Sequence, residues 1–125
     1  MKKITLLLVL VCSMSMFATR YLVQTGAPGA ATWRAAGDGE VLVDLTVNGQ
    51  SLNAWYNGLS ASVGDEVWVI EGTYVTTGVT TIKNGVSLYG GFSGTENTLT
   101  ERVKTSGDNP WNFENVTTKI GKAHV

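Results

Sequence analysis

The chain has 125 residues, with nine basic and ten acidic side chains, one histidine and one cysteine. That balance leaves no basic stripe for nucleic acid and no polybasic patch for a membrane surface, and both partner classes are excluded. One histidine and one cysteine likewise exclude a disulfide framework and the several-ligand sites that zinc requires.

The chain opens on Lys2 and Lys3, followed by the apolar run ITLLLVLV and the small residues Ser13, Ser15 and Ala18. A positive start, an apolar centre and a small-residue end make residues 1–18 a signal peptide. The cut is placed after Ala18, with a cut after Ser15 as the second position. The run is too short to span a bilayer, which takes about 20 residues. Cys12 lies inside this segment, and Val11 stands where a lipid-acceptor cysteine is preceded by a small residue, so a lipoprotein is not expected. Cleavage after Ala18 removes Lys2 and Lys3, taking the basic count from nine to seven against ten acids, a formal charge of −3. Residues 19–125 are enough for one small domain.

After the cut, β signals alternate with glycine turns. YLV (21–23) is a short strand, and TGAPGAATWRAAGDGE (25–40) is a Gly/Ala-rich loop. EVLVDLTV (40–47) alternates with a period of two, which predicts one long half-buried strand with Val41, Val43, Leu45 and Val47 inward. Asn48-Gly49 turns the chain. Leu52, Trp55, Tyr56 and Leu59 fall on one face of a helix that Ser51 caps, and this is the only helix expected. EVWVI (66–70) is a continuous apolar run, as in a strand covered on both faces. TGVTTIK (77–83) reads as β with Val79 and Ile82. VSLY (86–89) is the next strand, with Val86 and Leu88 on one face, and NVTTKI (115–120) is the last. Residues 93–115 form a long polar loop. The recurrence of short strands, each followed by a turn, suggests a solenoid.

GDEVWVIEGTY (64–74), then IKNGVSLYGGFSGTE (82–96), Leu99, Arg102 and NPWNFENVTT (109–118) carry a more specific signal. The chain resembles the opening of secreted right-handed parallel β-helix proteins of the pectin-lyase-like superfold, of the kind found in Bacteroidetes. The likeness covers residues 20–120 and is most specific over 63–96. It implies a mainly β fold: an N-terminal cap of short strands plus one short helix, then the first coils of a β-helix. EVLVDLTVNGQ departs from that pattern and reads as an extra strand in the cap. The helix would cover the open end of the apolar core, because a solenoid end exposes unpaired edges. With so few coils, the chain is expected to be truncated at its C-terminus, with an open end that continues into further coils or self-associates.

The candidate chemistry is thin. Asp65 and Glu66 are adjacent on a strand and point to opposite faces, so they cannot act as an acid–base pair. Asp65 is expected to bond nearby backbone amides at a Gly-Asp turn. Glu40 and Asp44 share strand parity about 13 Å apart and read as a solvated face. His124 makes no triad alone. Gly90-Gly91 is not a phosphate loop and reads as a corner between coil faces. No catalytic, cofactor or metal residue is assigned. Aromatic faces that stack on sugar rings remain: Trp111 on the long loop, Tyr89 and Trp68. The expectation is an exported structural or binding module, the start of an adhesin-like or polysaccharide-interacting surface protein. The alternative is the N-terminal fragment of a polysaccharide lyase or glycoside hydrolase whose catalytic residues lie downstream.

Overall fold

The computed structural model describes residues 18–104, Phe113 and the backbone of 117–121. The signal segment before Ala18, Trp111, Asn115 and His124 therefore lie outside the described residues. The fold is mainly β. Among the described residues, six strands run β1 (Arg20–Gln24), β2 (Glu40–Asp44), β3 (Glu66–Ile70), β4 (Gly72–Thr76), β5 (Ser87–Phe92) and β6 (Thr117–Gly121). Two short helices, α1 (Leu45–Asn48) and α2 (Leu52–Gly58), separate β2 from β3.

Every ladder between these strands is parallel. One sheet has the order β2-β1-β3-β5, and a second pairs β4 with β6. The registers align side chains in rows across the first sheet. Leu42, Leu22, Trp68 and Tyr89 form one row, and Val41, Tyr21, Val67 and Leu88 form the next on the opposite face. Both faces are covered, which is why EVWVI carries no polar alternation. On one face Val23, Val43, Val67 and Val69 pack with Trp55 and Tyr56 of α2 and with Tyr74 of β4. On the other, Leu22, Trp68, Ile70 and Phe92 pack under Trp33 of the Gly/Ala-rich loop.

Several expectations require correction. The strand expected over 40–47 ends at Asp44. The Asp44 carboxylate accepts the Val47 N–H at 3.1 Å and caps α1, and Gly49 closes it in the left-handed region. This local capping defeats the period-two pattern: Val43 and Leu45 are buried, but Val41 and Val47 are exposed. The helix expected over 51–61 forms as α2, with Ser51 as its cap, but it is not the only helical element. A 3₁₀ turn at Leu99–Glu101 breaks the long loop. Residues 77–83 form no strand, and Val79 and Ile82 are exposed.

Gly90-Gly91 is not a corner. Both glycines lie inside β5, where Trp68 pairs with Tyr89 but Ile70 pairs with Phe92. One extra residue on β5 makes a bulge. Gly91 adopts φ +87°, and a Cβ there would stand 2.9 Å from the ring of Phe113. Only glycine permits both the bulge and that close approach.

Candidate functional site

The ion pairs of the described residues gather at the N-terminal ends of the central strands. Register places Arg20 of β1 between Glu40 of β2 and Glu66 of β3. Its guanidinium spans them, with Nη1 at 3.2 Å from Glu40 Oε2 and Nη2 at 3.3 Å from Glu66 Oε1. It also lies 3.9 Å from the centroid of the Trp68 ring, a cation–π contact. Arg34 completes the group from the loop, donating to both Glu40 oxygens at 2.8 and 3.0 Å. This two-bond fork is the strongest geometry available to an arginine and a carboxylate. The Gly37 N–H donates to the same carboxylate at 2.9 Å.

Glu40 is therefore not on a solvated face, as its strand parity suggested. Its side chain is only 8% exposed. The Arg34 hydrogen bonds, assisted by Gly37 and Arg20, hold its pKa at about 2. A carboxylate pinned in its charged form cannot take or give a proton near neutrality. Asp44, the other acid of β2, accepts from Gln24 Nε2 at 3.2 Å and from the Val47 amide. The two acids of β2 thus have separate structural tasks.

The cluster borders a surface depression of about 370 Å³ lined by Ala18, Thr19, Arg34, Asp38, Glu66 and Asn97, among others. A second depression of about 440 Å³ lies between the α1–α2 turn and β4, lined by Thr46, Gln50, Ser51, Thr73 and Tyr74, among others. Among the described residues, no group of three or more His, Cys, Asp or Glu side chains is arranged to hold a metal ion. No helix there is long and apolar enough to cross a membrane.

Asp65 sits where its Gly-Asp turn implied. Its Oδ1 accepts the Thr19 N–H and its Oδ2 the Ser62 N–H, both at 2.8 Å. The residue is 5% exposed. Glu66, on the opposite face, goes to Arg20, so the two acids work apart.

The aromatic residues divide. Trp68 is 0% exposed. Its ring stacks on Phe92 at 4.6 Å between centroids, and Arg20 covers it as well. No face is left for a sugar, and Trp68 is core. Strand parity correctly set it against Val67 and Val69, but the second apolar layer under Trp33 was not visible in local spacing. Tyr89 is half-buried beside the Arg102 guanidinium, 5.7 Å from its ring centroid. Trp111 lies outside the described residues.

Two further residues organise this surface; both belong to the stretches that carry the resemblance, but no contact was assigned to either from sequence. Arg102 sits over Phe113, Phe92 and Tyr89 and donates to the carbonyls of Gly90 and Leu99, both at 2.9 Å. Burial lowers its pKa. Glu96, 2% exposed, accepts from the Ser93 amide and hydroxyl and from the Gly94 amide. Burial pushes its carboxyl up, but these bonds outweigh it and hold the pKa below the usual value. Gly94 has φ +111°, and a Cβ there would meet the Thr32 carbonyl at 2.3 Å. The SGTE stretch is therefore a turn closed by its own glutamate, and it packs against the Trp33 loop.

No protein-family model, curated protein or solved structure matches the chain.

Proposed function

We propose that this chain is an exported structural and glycan-binding module, the cap and first coils of a right-handed parallel β-helix at the cell surface or outside the cell. The observation that carries this reading is the strand order. β3 and β4 follow one another with only Glu71 between them, and β5 and β6 come next. β5 stacks in parallel on β3, and β6 stacks in parallel on β4. The pairs β3–β4 and β5–β6 thus each contribute one strand to each ladder, as successive windings of a solenoid do, and this supports the reading. Parallel crossovers are right-handed in nearly all proteins, which supports the handedness. Arg20, Arg34, Glu40, Asp65, Glu96 and Arg102 are engaged in holding strands, loops and turns, in keeping with a scaffold. The leader at 1–18 supports export.

Polysaccharide is the partner this reading assigns, through Trp111 and Tyr89. Tryptophan fluorescence of residues 19–125, titrated with pectin, xylan and host glycans, tests it. A saturable change with at least one polymer, lost in Trp111→Ala, is expected. No change with any polymer sinks the glycan partner. A left-handed or non-coiled path in an experimental structure sinks the β-helix.

A further inference from the structure

The first described residues hold a feature that the scaffold does not require. Thr19 sits at the start of the sheet, and its amide nitrogen is 2.8 Å from Asp65 Oδ1. Its carbonyl accepts the Glu66 N–H at 3.0 Å, and the next residue, Arg20, bonds the Gly39 carbonyl at 2.9 Å. Thr19 is thus fixed on both sides, whereas Ala18 before it is exposed. Ala18 and Thr19 both line the depression beside the arginine–glutamate cluster, so the bond between them lies at the surface. Asp65 is almost fully buried, and the three ion pairs of the described side chains leave it without a cation. A buried carboxylate is costly unless it is hydrogen-bonded and paired with charge.

We propose that the Ala18–Thr19 bond is the processing site and that the α-ammonium freed at Thr19 becomes the ionic partner of Asp65. Water hydrolyses the peptide bond under a signal-peptidase-type protease. The Ala18 carbonyl leaves as a carboxylate on the leader, and the Thr19 nitrogen takes up protons to become an ammonium. An α-amino group has a pKa near 7.7–8.0 and is mostly charged at neutral pH. One neutral N–H donor at 2.8 Å is thereby replaced by a charged group with three. The carboxylate then faces an opposite charge as well as a donor, and Coulomb attraction adds to the hydrogen bond already made. Removal of the leader would lock β1 against the turn before β3, so the cut chain is the more stable form. A cut after Ser15 would leave the ammonium three residues away from Thr19 and forfeit the pair. The inference rests on the export reading for the protease, but the ion pair can be tested without it.

Two measurements decide it. N-terminal sequencing of the protein secreted by an exporting bacterium is expected to read Thr-Arg-Tyr-Leu-Val. Separately, chains with defined first residues, released from a fusion partner, are melted side by side. The chain beginning at Thr19 is expected to melt about 4 °C or more above the chain beginning at Ala18. Asp65→Asn should abolish that difference. Acetylation of the Thr19 amine should also abolish it, without touching the core. A secreted chain beginning at Met16 overturns the processing site. Equal melting temperatures for the two defined chains overturn the ion pair. A leader that is never removed defeats the export reading, a result distinct from equal melting temperatures.

Discussion

Glu40 shows how far one residue can depart from its local pattern. Its sequence neighbourhood is an alternating strand, where an acid on the polar parity belongs in water. In the fold, Arg34 reaches it from six residues upstream and Arg20 from the adjacent strand, and no spacing rule within β2 encodes either approach. Asp65 is the opposite case. Its bond from the Ser62 amide is set by a Gly-Asp turn and was legible because that chemistry is local, whereas its bond from Thr19 comes from 46 residues away and was not. The Glu40 arrangement makes a sharp prediction. Its pKa falls from 4.5 unfolded to about 2 folded, so its contribution is present above pH 4.5 and is lost as pH falls through 2. Glu40→Gln should cost about 2–3 kcal/mol at pH 7, because both arginines lose a buried counter-charge. Urea unfolding at pH 7 and again at pH 2 measures the gap between the two proteins. The gap should shrink at the lower pH; an unchanged gap would mean that Glu40 stabilises through packing alone.

At the scale of elements, α2 was the most legible and also held the least expected function. Its apolar face was read from Leu52, Trp55, Tyr56 and Leu59, and Trp55 and Tyr56 are indeed buried against the sheet. The polar residues between them proved as important. Asn53 and Asn57, four apart and on one face, accept the N–H groups of Thr77 and Thr81 at 2.9 and 2.8 Å. Asn57 Nδ2 returns a bond to the Val79 carbonyl at 2.8 Å, and the Tyr56 hydroxyl accepts the Lys83 N–H at 3.3 Å. Segment 77–83 therefore satisfies its backbone on a helix rather than on another strand, which explains why its β-like composition forms none. A helix laid along an extended segment is one way to blunt a pairing edge. Asn53→Ala should cost about 1–3 kcal/mol, since Asn53 is buried and its loss strands the Thr77 amide. Asn57→Ala, at an exposed bond, should cost less. Amide hydrogen exchange at Thr77 and Thr81 would locate each loss. Faster exchange confined to the matching residue supports the one-to-one pairing, and uniform acceleration would point to general loosening instead.

For the whole molecule, the question is what the sheet does at its ends. The row Val41, Tyr21, Val67 and Leu88 lies on the same face as the valine core. Val67 in its middle is fully buried, yet Leu88 on the terminal strand β5 is 42% exposed. A core-facing leucine left half in water marks a row that has run out of neighbours, not a solvent face. In a solenoid, the next winding would supply that neighbour. β5 is partly guarded by Arg102, which donates to the Gly90 carbonyl, but among the described residues Leu88 has no such cover in its row. The other terminal strand, β2, is only five residues long and turns away at the Asp44 cap, a standard way of limiting an edge. The two ends should therefore behave differently. Residues 19–125 should self-associate with rising concentration, as read by size exclusion with light scattering. Leu88→Lys should suppress that association, because a charge on the exposed row blocks stacking, whereas Val41→Lys at the β2 end should leave most of it intact. A monodisperse monomer that unfolds cooperatively at every concentration would show that β5 is already closed, and with it the premise that this end accepts another coil would fall.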